Sequence, residues 1–280
     1  MIQIRISRPE DIPRQRELWQ LAFGDDGAYV DNFYNAYYQP ERVLLLEEDG
    51  VVQAMTAWFE TTFAVPGQGR YRAAYLYAVA THPEARGRGL AGQLLAGADR
   101  IFREWDIPAV TTVPAEPSLH RFFGWNGFRE CFVDGQFSAP REGHGIRTVS
   151  AVLKRLTPEE YRDLREGLLA GTAHIDLPQE ALAYQAGACA LAPGGGLYAL
   201  RTGRPLRRGD GMWWAAGEGA AVPAGGSGLG AGTPPRPAAP VVLCLAHPRG
   251  LPPLRDAQVA GPGAGAVLGL GLHRLFGARI

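Results

Sequence analysis

The chain has 280 residues, enough for two domains or one large one at about 150 residues each. Apolar residues make up 46% and charged residues 20%, a balance that supplies a buried core. Formal net charge is zero, which excludes a global basic field of the kind that binds nucleic acid or an anionic membrane.

Ile2, Ile4 and Ile6 alternate with polar residues and predict a first strand. Ser7, Pro9 and Glu10 read as the start of a helix running to Phe23, with Gly24 to end it. A second helix follows, with Tyr29, Val30, Phe33, Tyr34 and Tyr37 on one face. Val43–Glu47 and Val51–Phe59 predict strands joined through Asp49-Gly50, a hairpin signal. Tyr71–Ala80 predicts the next strand, and an amphipathic helix with Leu90, Leu94, Ala98, Ile101 and Phe102 inward follows a glycine-containing turn. Ala109–Val113 and Phe128–Val133 predict strands on either side of a short helix at Ser118–Phe123.

The polar stretch from Gly135 to Gly145 predicts a boundary, with one domain over 1–140 and a second, smaller α/β domain over 146–280. In the second, Val149–Leu153 reads as a strand and Thr157-Pro158-Glu159-Glu160 as a capped helix start. A helix over Pro178–Leu191 and strands at Leu197–Arg201 and Val241–Ala246 complete it. Residues 215–240 are nearly all Gly, Ala and Pro and predict a loop. The halves carry opposite formal charge, 13 basic and 18 acidic side chains over 1–140 against 15 and 10 beyond.

Cys131, Cys189 and Cys244 lie far apart without a CxxC pair. That argues against a disulfide framework or a cysteine zinc cluster and favours a reducing cytoplasm. The charged, alternating start MIQIRISRPED reads as neither a signal peptide nor a membrane span. Lys154 is the one lysine, so lysine-based covalent chemistry would rest on a single side chain.

The segment YLYAVATHPEARGRGLAGQLL, Tyr75 to Leu95, carries the chemistry. A strand, a turn with two close glycines and a helix form an anion cradle: small residues admit the ligand to the backbone, and the first helical N–H groups lack internal partners. Arg86 and Arg88 can add charge-assisted bonds. Gly87, Gly89 and Gly92 also fit GxGxxG, yet His82 to Arg86 separate them from the strand, and hairpin strands precede it. Both facts count against a dinucleotide fold.

Arg86-x-x-Gly89-x-Ala91 after Val79-Ala80-Thr81 resembles the Q/R-x-x-G-x-G/A signature of the GCN5-related N-acetyltransferases, the GNAT superfamily. The element order, the opening IRISRPEDIPRQRELW and the closing PSLHRFFGWNGFRECF are similar to theirs. The tyrosine-rich second helix and the added second domain look most like the enhanced-intracellular-survival branch. The resemblance implies a mixed, mostly antiparallel α/β (α+β) sheet flanked by helices. It also implies acetyl-CoA as co-substrate, no metal, and a small-molecule amine or peptide amino group as acceptor. Val79, Ala80 and Thr81 would pair with the pantetheine arm, and Arg86, Gly87, Arg88, Gly89, Leu90 and Ala91 would hold the pyrophosphate.

The family's thiolate-protonating tyrosine aligns with Phe123, and its strand glutamate with Tyr75. Tyr75, Tyr77 on the same face, and Glu60 on the neighbouring strand are therefore the catalytic candidates, with Glu116 and His120 behind them. His174, Asp176 and His247 have no metal-ligand spacing, and Trp213-Trp214 beside Arg207 and Arg208 read as a buried pair rather than a stacking platform. The second domain lacks the signature and would wall the acceptor cleft or support a homo-oligomer. Three functions follow in order: a cytoplasmic N-acyltransferase without nucleic-acid or membrane partners, a non-catalytic acyl-CoA sensor of the same fold, and a NAD- or nucleotide-binding protein.

Overall fold

Strand β1 (Ile2–Ile6) pairs antiparallel with β2 (Val43–Glu48). The computed structural model describes residues 1–114, 117–133, 151–169, 171, 173–191, 195–202 and 241–246. Between β1 and β2 lie α1 (Ile12–Phe23) and α2 (Gly27–Ala36). The chain enters α1 through a short 3-10 turn, Pro9–Asp11, instead of a cap at Ser7. The Ser7 hydroxyl is engaged by the Gln15 amide at 2.6 Å and the Tyr38 hydroxyl at 2.9 Å. Gly24, at φ 74°, ends α1, and the Asp26 carboxylate caps α2 by accepting from the Tyr29 N–H at 2.8 Å.

Asp49 and Gly50 both have positive φ, 50° and 84°, the turn whose twist suits a two-residue hairpin. The turn leads into β3 (Val51–Val65), which runs six residues past the predicted end at Phe59 and forms one long antiparallel ladder with β4 (Gly69–Thr81). Helix α3 (Leu90–Glu104) crosses the sheet and returns the chain as β5 (Ala109–Thr112), parallel to β4. Then come α4 (Pro117–Trp125), β6 (Arg129–Val133) and β7 (Ala151–Leu156). The next elements are α5 (Pro158–Leu169), β8 (His174–Asp176), α6 (Gln179–Ala190), β9 (Leu197–Thr202) and β10 (Val241–Ala246). Thr157 caps α5 as its sequence predicts: its hydroxyl accepts from the Glu160 N–H at 3.1 Å, and the Glu160 carboxylate accepts from the Thr157 N–H at 3.0 Å.

The main sheet runs β1-β2-β3-β4-β5-β10-β6, with β8 extending the β3 edge beyond β2. Several elements of the 146–280 segment thus build on the first half. Strand β8 pairs with β3, β10 lies antiparallel between β5 and β6, and α6 packs on α2; among the described residues only β7 and β9 form a ladder of their own. The sheet separates two apolar clusters. One, beneath α1, α2 and α6, contains Trp19, Phe33, Phe59, Tyr77 and Tyr184. The other, beneath α3 and α4, contains Trp58, Leu76, Leu94, Phe102 and Phe123.

Candidate active site

Strand β4 carries one residue more than its partner. Tyr77 faces Ala57 but Ala80 faces Met55, and Ala78 within that bulge has φ 50°. An alanine in the left-handed region is held there by its surroundings. The Thr56 hydroxyl contributes by donating to the Tyr77 carbonyl at 3.2 Å. On the other edge, β4 pairs with β5 only where Ala73–Tyr75 meets Ala109–Thr111. From Leu76 to Thr81 that edge has no strand partner among the described residues, so the two strands part into a wedge beside the bulge.

At the far end of the wedge, Arg86 Nε donates to the Thr81 carbonyl at 3.2 Å. The Thr81 hydroxyl and Arg86 Nη2 are buried without hydrogen-bond partners among the described residues; such groups are costly unless a ligand or water meets them. Gly87 and Gly89 follow at φ 74° and 75°, a conformation that requires glycine on backbone grounds alone, since a Cβ on either would meet nothing within 4 Å. Both are exposed, so the turn is an open concavity. Gln93 makes the first bond of α3, its N–H donating to the Gly89 carbonyl at 3.2 Å. The N–H groups of Leu90, Ala91 and Gly92 therefore precede the helical ladder, and burial of the Leu90 and Ala91 side chains anchors the helix start to the sheet. Val79, Ala80 and Thr81 lead through the 3-10 turn Pro83–Ala85 to Arg86–Ala91, and an exposed glycine turn at a helix start beside a strand edge suits an extended ligand ending in an anion.

The guanidiniums are more committed than the sequence suggested. Arg86 is tied back to the strand, and exposed Arg88 forms two bonds to Glu48, at 2.9 and 2.5 Å. Both side chains are thus engaged within the protein, and the backbone N–H groups at the start of α3 are the donors left at the turn.

Of the catalytic candidates, Tyr75 and Tyr77 come together on the α1/α2/α6 face beside the mouth of the wedge. Burial pushes both phenols well above their ordinary range, so both stay neutral. Tyr77 Oη lies 2.6 Å from Tyr184 Oη and 3.5 Å from Tyr29 Oη. Glu60 stands apart: it faces Ala74 across the ladder, one place on from the Phe59–Tyr75 pair, so alternation puts it on the opposite face. Its carboxylate pairs with Arg42 at 3.3 Å and borders a separate cavity of about 490 Å³, shared with Arg72, Arg162 and Asp176. Phe123 is fully buried, 5.3 Å from Phe128 in an edge-to-face contact. His120 is half-buried on α4. Glu116, His247, Trp213, Trp214, Arg207, Arg208, residues 215–240 and the 135–145 boundary lie outside the described residues.

His174 and Asp176, which the sequence leaves as scattered polar residues, are both buried, with His174 Nε2 2.8 Å from Asp176 Oδ1. Arg70 and Arg165 complete this cluster, Arg165 donating to the Ile175 carbonyl at 2.7 Å. Burial alone would push the Asp176 carboxyl up, but the His174 bond and the arginine charges hold it below the usual range. The cluster ties β8 to α5. Among the described residues no group of three or more His, Cys, Asp or Glu side chains could hold a metal ion, and no helix is long and apolar enough to cross a membrane. Sequence reasoning missed Tyr184, because its partner lies 107 residues away and no local pattern marks the pair.

A mixed sheet whose fourth strand bulges and parts from the fifth before a glycine turn and helix is the GNAT fold, and residues 3–127 match the family described as acetyltransferase (GNAT) domain. Residues 3–127 are thus similar to that family, and the described residues share the fold of an Eis-type protein. The fold is shared with Eis1 from Mycobacterium abscessus, at 16% identity and TM-score 0.54 over 72% of this chain and 51% of that one. A GCN5-related N-acetyltransferase from Anabaena variabilis gives 18%, 0.53, 72% and 51% in the same terms. One from Kribbella flavida gives 16%, 0.51, 72% and 52%. The matched chain thus spans about half the length of these three structures. A search of curated proteins matches nothing.

Proposed function

We propose that the chain is an acyl-CoA-dependent N-acyltransferase that moves an acetyl group from acetyl-CoA directly to a primary amine, on a small molecule or a peptide. The observation that supports this reading is that β4 has no strand partner beyond Tyr75 on its β5 side among the described residues, and that a short 3-10 turn at Pro83–Ala85 then leads to the Gly87–Gly89 turn and the start of α3. An extended pantetheine arm would take the place of a neighbouring strand along Val79–Thr81. The diphosphate would sit on the turn and helix start, where the aligned peptide dipoles favour negative charge.

Acetyl-CoA supplies the activated acyl carbon. The chain's part is to orient it, to aim a backbone N–H of the bulge at the developing oxyanion, and to move protons between the acceptor amine and the leaving sulfur. Tyr77 and Tyr75, neutral and next to the wedge, are the proposed groups for the proton steps, with Glu60 the third candidate from its separate face.

Isothermal calorimetry with coenzyme A and acetyl-CoA, followed by thiol release with a panel of amines, tests the reading. Gly89→Glu places a carboxylate where the diphosphate belongs and a side chain at positive φ. It is expected to abolish coenzyme A binding while lowering stability by about 1–2 kcal/mol. Coenzyme A binding by this variant equal to the parent's overturns the cradle, and a thermal shift with NAD but none with coenzyme A overturns the whole assignment. Burial of Phe123 where the family places a tyrosine favours one second reading, an acyl-CoA sensor of the same fold. Binding without turnover on any amine would establish it.

A further inference from the structure

We propose that Tyr184 of α6 is a positioning residue of the acyl transfer. With Tyr29 it holds the Tyr77 hydroxyl in a chain of three phenols leading from the bulge of β4 to half-buried Tyr29. The inference rests on the transferase reading above.

Tyr184 is fully buried, its ring stacked on Phe59 at 5.7 Å and edge-on to Phe33 at 5.8 Å. The surroundings are aromatic: Trp19 stands edge-on to Tyr77 at 5.1 Å, and Phe59 lies 5.2 Å from the same ring. Phenylalanine would fill either tyrosine position by shape. A hydroxyl pair at 2.6 Å in such a place occupies one hydrogen-bonding direction of each oxygen, and with Tyr184 as the donor the Tyr77 O–H is left to point at Tyr29. Helix α6 is itself fixed at this point. Asn32 Nδ2 donates to the Tyr184 carbonyl at 2.8 Å, and Gly187, one turn on, leaves the space the Asn32 carboxamide occupies.

The proton balance gives the chain its use. As the N–C bond forms and the C–S bond breaks, an ammonium acceptor gives up two protons; one ends on the sulfur and one leaves the site. Tyr77 cannot store the second as a change of its own charge, because burial keeps it neutral. It can accept a proton on its oxygen while its own passes to Tyr29, which is half-buried and 3.5 Å away, and from there out of the site. Tyr184 acts through Tyr77, keeping one of its hydrogen-bonding directions occupied so that the other points along this route.

The test uses the full-length protein with Tyr184→Phe, Tyr77→Phe, the double variant, and Tyr161→Phe as a buried tyrosine of the same cluster outside the chain of phenols. Tyr184→Phe is expected to lower kcat about tenfold, with unchanged KM for acetyl-CoA and unchanged calorimetric affinity for coenzyme A. The double variant should be no slower than Tyr77→Phe, since groups acting as a unit are not additive. Tyr161→Phe should keep the parent kcat. Independently of activity, urea midpoints of the two single variants and the double should be non-additive, reporting the phenol pair itself. A Tyr184→Phe enzyme within twofold of an active parent overturns the positioning role and leaves the transferase reading standing. So does a double variant slowed by the product of the single effects. A parent that binds no coenzyme A fails the transferase reading itself, and the positioning role with it.

Discussion

Asp11 accepts from Arg5 through both carboxylate oxygens, at 2.7 and 2.8 Å, and from the Arg8 N–H at 2.8 Å. The Arg5 bonds hold its carboxyl below the ordinary range against the upward push of burial. A depressed folded-state pKa contributes stability that is present above the unfolded value, near 4, and is lost as pH falls through the folded one. Asp11→Asn is therefore expected to lower stability by about 2 kcal/mol at pH 7. Urea titrations should show the gap to the parent narrowing below about pH 4. The sequence made Ser7 the visible cap candidate, and nothing in its spacing marked the Arg5–Asp11 bond, which joins a strand to the turn after it. Tyr75 and Tyr77 were legible as a same-face pair from strand alternation. The Tyr184 hydroxyl was not, because it depends on where α6 docks.

Helix α3 is the element on which the cradle's position depends, and Gly97 sets how close it lies to the sheet. A Cβ there would meet Ile4 Cγ2 at 2.9 Å and Leu44 Cδ2 at 3.4 Å. Gly97→Val should lower stability by about 2 kcal/mol through overpacking and a β-branched side chain mid-helix. It should also weaken coenzyme A binding by tilting the helix start away from Thr81; denaturation and calorimetry on one sample read both. The strand-turn-helix unit around Gly87 and Gly89 was the most legible part of the molecule, since positive φ and free helical N–H groups leave a direct mark in residue choice. The bulge one strand earlier left none: Ala78, Val79 and Ala80 are all apolar, and a slipped register among them changes no pattern. The far half of β3 escaped for a related reason, because Thr61 and Thr62 break the apolar run although β8 pairs with Thr62, Phe63 and Ala64.

At the scale of the whole molecule, the two halves are interleaved more closely than composition suggests. The 146–280 elements were largely legible one by one, β10 to the residue, but their destinations were not, because strand partners more than 100 residues apart are chosen by topology. A chain stopped after Val133 should therefore fail to give a cooperative thermal transition. It would leave β5 and β6 without the strand that joins them and Phe59 without the Tyr184 ring. A truncated protein that melts cooperatively and binds coenzyme A would count against this. The same threading bears on biosynthesis. A ribosome adding about 5–20 residues per second needs several seconds or more after β6 emerges before it delivers β10. Through that interval the nascent polypeptide presents two open strand edges, the kind of surface that chaperones shield until translation supplies the missing piece.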